Sequence, residues 1–340
     1  MSTIRDVAKR ANVSTATVSR ILNHDTRYKI TDETKARVLS AVKELDYHFQ
    51  SRTASRRQVP EQQDPACVKI GCILSVTKKK FNDPYFMTIL SSAEEQLHSK
   101  GYSISFIRTG KELIDRNLLV STFESDVTGL LLMDTLDQEI YDYIRSRVPF
   151  IVGVDTRMED IDNVAYNHHQ VAICGTEHLI ALGHTKIGYI GGSSESETIL
   201  ESFRYQGFTI AMQSAGLPVN PDWVINCEWD EELCAEKIHE LCQSGDLPTS
   251  FFVGSDLMAI ATMNALADHH ISVPDQISVV GMSDIEMARF TTPALTTLQV
   301  PMEQLGIIAA NLLIERINGS TLLPQKVILP SRLIVRNSAK

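Results

Sequence analysis

Apolar residues recur at helical spacing three times near the start of the chain. Val7, Ala8 and Ala11 make one stripe, Val18, Ile21 and Leu22 a second, and Val38, Val42 and Leu45 a third. Spacings of three and four residues put each set on one face of a helix. The first helix is expected to begin behind Thr3, a hydroxyl cap with Asp6 three residues on. Ala11-Asn12-Val13 reads as a tight turn, because asparagine takes a left-handed conformation at modest cost. Ser14 caps the second helix, which runs to Asn23, and a third is expected from Thr31 or Asp32 to Leu45. Thr15, Ala16, Thr17, Ser19, Arg20 and Asn23 remain on the outer side of the second helix, a small, hydrogen-bonding face with one arginine. Helix, tight turn, helix with such a face is a helix-turn-helix, whose second helix enters the DNA major groove by its N-terminal end.

From Val68 onward the pattern changes to short apolar runs alternating with helices. Strands are expected at Lys69–Leu74, Tyr102–Ile107, Gly129–Met133 and Pro149–Val154, and again at Lys186–Ile190, Val224–Cys227, Ser250–Val253 and Ile277–Val280. Pro84 to Lys100 reads as a helix ended by Gly101, and others are expected to start near Val171, Ser202, Glu231, Asp256 and Met302. Near-continuous apolar strands between helices imply parallel sheets covered on both faces. Two doubly wound lobes place a ligand where strand ends face one another across a cleft. Between head and body, Tyr47 to Asp64 reads as a linker, basic at Arg52, Arg56 and Arg57 and then proline-bearing and exposed.

Charge separates the two parts. Residues 1–60 carry 12 Lys and Arg against 6 Asp and Glu, while the remainder carries 20 against 36, within a chain of net charge −10. Amphipathic helices alone would suit an ordinary α domain, but a basic head on an acidic body marks a local polyanion-binding face. No apolar run is long enough for a membrane span and the chain opens on a capped helix, so a cytoplasmic protein is expected. The six cysteines form no C-x-x-C pair and read as small buried residues rather than bridges or zinc ligands. His168-His169 and His269-His270 read as loop or helix-end residues, so neither metal nor cofactor is expected. Catalysis has no support: there is no G-x-S-x-G elbow or G-x-x-x-x-G-K loop, and Gly191-Gly192 alone says little.

The run from Thr3 to Asn23 resembles the head of the lactose-repressor/galactose-repressor (LacI/GalR) family of bacterial transcription regulators. Similarity continues in His178-Leu-Ile-Ala-Leu-Gly-His184, Ser255-Asp-Leu-Met-Ala259, Ile277-Ser-Val-Val-Gly281 and Leu295-Thr-Thr-Leu-Gln299. The resemblance implies an all-α helix-turn-helix head plus an α/β body, two doubly wound parallel-sheet lobes of the periplasmic-binding-protein type. It divides the chain into a head at 1–46, a hinge at 47–66 and a sugar-binding, dimerising body at 67–340. The N-lobe would take 67–164 and 296–324 and the C-lobe 165–295 and 325–340, with crossings near Ala165, Leu295 and Pro324. The linker departs from the family: Phe49-Gln50 stands in place of Pro-Asn, and Arg56 where an intercalating leucine is usual.

By that resemblance the chain is expected to be a homodimeric repressor of a sugar-utilisation operon, bound to a near-palindromic operator and released by a sugar. Thr15, Ala16 and Arg20 would touch base edges, Thr3, Ser14, Thr17, Ser19 and Asn23 would secure the backbone, and Arg56 and Arg57 would add phosphate or minor-groove contacts. A sugar needs carboxylates and amides for its hydroxyls and an aromatic face, and the strand-end candidates are Ser75, Asp83, Tyr85, Phe86, Asp155, Arg204, Trp229, Ser255, Asp256, Ser283 and Asp284. Ser255 and Ser283 replace the Asn and Asp frequent at their positions. The Asn82–Phe86 and Lys29–Thr34 stretches lean towards the galactose and β-galactoside branch. A corepressor-dependent regulator, an enzyme of similar fold and an exported sugar-binding protein are the alternatives. The last needs an export signal that the N-terminus does not show.

Overall fold

The computed structural model describes residues 4–22, 30–45, 65–75, 82–193 and 198–340. The chain divides into two compact units, Met1–Gln63 and Asp64–Lys340. Thr3, Asn23, Arg56, Arg57 and the linker lie outside the described residues, as do the side chains of Ala16 and Ser19.

The head contains α1 (Ile4–Ala11), α2 (Thr15–Leu22) and α3 (Asp32–Glu44). Asn12 adopts the expected left-handed turn conformation, with φ 51°. Ser14 caps α2, its hydroxyl oxygen accepting from the Thr17 amide at 3.1 Å. The carbonyl of Thr31 accepts from the Lys35 amide at 3.0 Å, which makes Thr31 the start of α3. Val7, Ala8, Ala11, Val18, Val38 and Ala41 are buried together, with Ile21, Val42 and Leu45 against them. The apolar stripes thus meet in one small core.

In the body, one six-stranded sheet has the order β11-β5-β4-β3-β1-β2. Its strands are β1 (Ile70–Leu74), β2 (Ile104–Thr109), β3 (Gly129–Met133), β4 (Phe150–Val154), β5 (Asp162–Tyr166) and β11 (Lys326–Leu329), with every pair parallel. The other sheet has the order β12-β10-β9-β8-β6-β7. It comprises β6 (Ile187–Gly191), β7 (Val224–Asn226), β8 (Ser250–Val253), β9 (Ser278–Ser283), β10 (Thr296–Gln299) and β12 (Arg332–Ile334), the last antiparallel to β10. β1, β3, β6, β8 and β9 are buried along their whole length, as strands covered by helices on both faces must be.

The helices of the body are α4 (Pro84–Ser99), α5 (Arg116–Phe123), α6 (Gln138–Arg145), α7 (His168–Ala181), α8 (Phe203–Ser214), α9 (Glu231–Ser244), α10 (Asp256–Asp268) and α11 (Met302–Ile317). Neither α5 nor α6 was expected from the apolar pattern. α11 packs on α4 so closely that a Cβ at Gly306 would lie 2.2 Å from the Ile89 carbonyl oxygen. Only a residue without a side chain permits that approach. Cys67 is exposed and Cys174 and Cys242 are half-buried, so the expectation of burial holds for Cys72, Cys227 and Cys234.

Sheet membership moves each crossing between lobes towards the C-terminus. β5 keeps 162–166 in the first lobe, so the chain crosses at Asn167 rather than Ala165. β10 keeps 296–299 in the second, so the next crossing is Val300–Pro301 rather than Leu295. β11 keeps 326–329 in the first, so the last is Pro330–Ser331 rather than Pro324. None of these three strands was expected from the apolar pattern, and for two the physical reason is plain. β11 lies at a sheet edge and alternates exposed with half-buried residues. β5 begins with Asp162 and Asn163, both buried and both paired. Asn163 bonds the backbone of Thr156 in both directions, at 2.9 and 3.2 Å. Asp162 takes a bidentate ion pair from Arg316, at 2.6 and 2.8 Å, and the Gln325 amide at 2.7 Å.

That ion pair fastens the end of α11 and the start of β11 to β5. Asp162→Ala leaves a largely buried guanidinium without its counter-charge and should lower unfolding free energy by about 3 kcal/mol. Urea denaturation of the full chain measures it; a change under about 0.5 kcal/mol would mean the pair contributes nothing net.

Candidate functional site

Strand ends of the two lobes converge on one cleft, and the backbone there is unusual. Asp134 after β3, Asp155 after β4, Glu228 and Trp229 after β7, and Asp284 after β9 all have φ between 50° and 68°, with Ser283 at 129°. Such conformations are unfavourable for residues with a Cβ and cluster where surrounding structure holds them for function. Met133 and Val154 pair in the parallel ladder, so the next residues, Asp134 and Asp155, stand side by side.

Asp155 is the hub of the first lobe. Its carboxylate accepts from the Tyr85 hydroxyl and, at 3.2 Å, from His168 Nε2. His168 opens α7 in the second lobe, so this contact spans the cleft. Burial lowers the His168 pKa while Asp155 raises it, and the net direction is downward. A neutral ring carrying its proton on Nε2 fits a carboxylate acceptor. Burial also drives the Tyr85 hydroxyl well above its ordinary range, with the Asp155 charge acting the same way, so Tyr85 stays a proton donor.

Arg204, at the start of α8, reaches across in the other direction. Its Nη2 donates to the Tyr166 hydroxyl at 2.7 Å, and its guanidinium lies 4.8 Å from the centre of the Trp229 ring. Its Nε is buried with no hydrogen-bond partner. Trp229 in turn rests on backbone: a Cβ at Gly192 would fall 2.5 Å from the indole. Gly192, whose pairing with Gly191 carried no signal as a motif, is therefore where the indole finds room.

The remaining sequence candidates divide by what their atoms already do. Phe86 packs edge-on against Tyr85, with centroids 5.1 Å apart. Ser75 donates to the Thr135 carbonyl. Asp83 caps α4 by accepting from the Tyr85 amide, and Ser255 caps α10 by accepting from the Met258 amide. Asp256 has no exposed surface; its carboxylate takes the Thr297 hydroxyl at 2.6 Å and the Ile285 amide at 2.9 Å. A direct ligand contact expected for Asp256 is thereby corrected to a buried brace between α10 and β10. Ser283 is buried, and Asp284 is held by Arg336 at 2.5 Å and Gln299 at 2.8 Å.

Four contributors were not anticipated from the sequence: Asp134, Tyr166, His168 and the Arg157–Phe203 contact. Asp134 was legible in principle, because it follows a buried strand as Asp155 does. Its carboxylate accepts from the Thr135 amide at 2.7 Å. The side chain is open to solvent in the cleft yet crowded by its walls. That partial burial pushes it up to about 6; Asp155 adds to the effect, and the Thr135 amide, Arg204 and Arg157 oppose it.

In the head, Ser14 and Thr15 at the start of α2 are exposed, and Thr17 and Arg20 are half-exposed, while Val18 is buried. Among the described residues, no cluster of three or more His, Cys, Asp or Glu could hold a metal. No helix among them is long and apolar enough to cross a membrane.

Residues 3–50 match the family described as bacterial regulatory proteins, lacI family, and residues 176–339 the periplasmic binding protein-like domain. The HTH-type transcriptional repressor PurR of Photobacterium profundum is 32% identical over 347 residues, covering 100% of this chain and 99% of the relative. PurR of Haemophilus influenzae is 34% identical over 350 residues with the same coverage. Among solved structures, the transcriptional regulator CelR–cellobiose complex superposes with TM-score 0.72 at 25% identity, over 99% of this chain and 100% of that one. The two curated relatives carry the PurR name and do not mark a galactose branch. Matched from end to end by such repressors, the chain belongs to the LacI family of bacterial regulatory proteins and is a DNA-binding transcriptional repressor with a body of the periplasmic-binding-protein type.

Proposed function

We propose that this repressor responds to a small neutral sugar held between its lobes and acts in the cytoplasm as a homodimer on a near-palindromic operator. The observation that carries the ligand reading is a buried donor without a partner, Arg204 Nε, in the same cleft as the Asp134 carboxylate, which takes a single amide. A sugar hydroxyl both donates and accepts, so one ring answers both demands. Arg157 and Arg204 balance Asp134 and Asp155 in charge, which favours an uncharged ligand. The CelR structure supports the class, since that complex is with cellobiose. Galactose and β-galactosides are one candidate set within that class.

On DNA, Thr15, Ala16 and Arg20 would read base edges, while Thr3, Ser14, Thr17, Ser19 and Asn23 hold phosphates. Arg56 and Arg57 would add linker contacts. One eight-residue reading helix spans few base pairs, so a second copy supplies the other half-site. Ligand would shift the relative placement of the lobes and lower operator affinity; ligand that raises it marks a corepressor.

Calorimetry of the full chain against galactose, lactose, cellobiose, ribose and a purine base tests the reading. Heat from a sugar is expected; binding of the purine alone would replace it. Asp155→Ala should weaken sugar binding about 10- to 100-fold, the worth of a hydrogen bond to a charged group, and unchanged affinity would remove Asp155 from the site.

The Asp134 carboxylate is ionised above about pH 6 and loses its charge below it. Sugar affinity should therefore fall as pH drops from 7.5 to 5, and Asp134→Asn should flatten that profile. A parent profile already flat would exclude Asp134 from contact.

Selection from random duplexes should enrich an inverted repeat for the full chain. Arg20→Ala should then lose ~1–3 kcal/mol on that site and relax preference at one base pair. Equal loss on unrelated duplex would show that Arg20 reads no base.

A further inference from the structure

At the mouth of the cleft, apart from the polar contacts within it, a second kind of contact joins the lobes. Arg157 belongs to the first lobe, in the segment between β4 and β5, and its amide donates to the Thr135 hydroxyl at 3.1 Å. Phe203 is the first residue of α8, in the second lobe, and is 40% exposed. The Arg157 guanidinium lies 4.7 Å from the centre of the Phe203 ring. The same ring lies 4.9 Å from that of His169 on α7, whose Nε2 pairs with Gln206 on α8 at 3.0 Å. Phe203 is thus braced from within its own lobe by two helices, and an arginine from the opposite lobe covers it.

Separating the lobes must break this pair together with the Arg204–Tyr166 and His168–Asp155 contacts. A cation over an exposed aromatic ring is worth ~0.5–1 kcal/mol. That is small against the folding free energy, yet enough to change the ratio of two arrangements about two- to five-fold.

We propose that Arg157 and Phe203 form a latch between the lobes: Arg157 is a positioning residue that sets how far the cleft stays closed, and does not itself hold the effector. The pair requires both the positive charge and the ring. Arg157→Ala and Phe203→Leu should each shift the closed-to-open ratio about two- to five-fold towards open. Arg157→Lys, which keeps the charge, should shift it less. The double variant should fall short of the sum of the two singles, because the ring contact is shared between them.

Trp229 reports on this without any ligand. The chain has two tryptophans, and Trp223→Phe leaves Trp229, under Arg204 in the cleft, as the sole fluorophore. Acrylamide quenching of the full chain in that background should rise with Arg157→Ala and with Phe203→Leu, following the increase in the open fraction. If Trp223→Phe does not fold, the parent background serves, because Trp223 is only 7% exposed and contributes little to quenching. Urea midpoints are recorded alongside. Quenching equal to the parent in both single variants overturns the latch, as does a lowered midpoint with unchanged quenching, which would mark simple packing. No effector enters the measurement, so failure of the sugar reading and failure of the latch are seen separately.

Discussion

The chain passes between its lobes three times, and that constraint governs the rest of the body. At Asn167, Val300–Pro301 and Pro330–Ser331 it leaves one sheet for the other, so neither lobe is a continuous piece of sequence. Three side-by-side strands limit relative motion to rotation about their common line. Strand ends on either side are the parts that approach or part when such rotation occurs. The left-handed residues Asp134, Asp155, Trp229 and Asp284 sit at those ends. Strain is held where movement would be felt.

The hinge strands are also wired to the cleft wall. Gln299, the last residue of β10, donates to Asp284 and accepts from Arg332, the first residue of β12, at 2.6 Å. Arg336 closes the other side of Asp284. The Asp284 carboxylate after β9 is therefore bonded directly to Gln299, beside the second crossing, and through Gln299 to Arg332, beside the third. At the far end of β5, away from the crossings, the Asp162–Arg316 pair and the Gln325 amide fix the start of β11 to β5. Polar side chains do the mechanical work at these joints, while the apolar clusters of each lobe keep the sheets rigid.

Much of this was legible in the sequence where local physics decides the outcome. The turn at Asn12, the Ser14 cap and the stripes of Val7, Val18 and Val38 need only near neighbours, and the structure agrees with them. Strands buried on both faces, such as β3 and β8, announced themselves as unbroken apolar runs and were bounded to the residue. What escaped depended on distant partners. β5 opens with Asp162 and Asn163, which look like loop until Arg316 and the Thr156 backbone are placed beside them. Asp256 looked like a ligand contact because of its strand-end position, but the Thr297 hydroxyl and the Ile285 amide, both far along the chain, each occupy one of its oxygens. The gathering of Tyr85, Asp155, Tyr166, His168 and Arg204 required the fold, since no spacing along the chain brings them together. The roles of Arg56 and Arg57 belong to a stretch outside the described residues.

The backing of Trp229 has a consequence for how such a protein could change its ligand. The indole sits against Gly192, where even a methyl group would collide with it, so the depth of this wall is set from behind by an atom that is missing. A mutation there would displace the indole while changing no other side chain of the cleft. Selectivity in this fold can then drift through a position that a comparison of contact residues alone would never inspect.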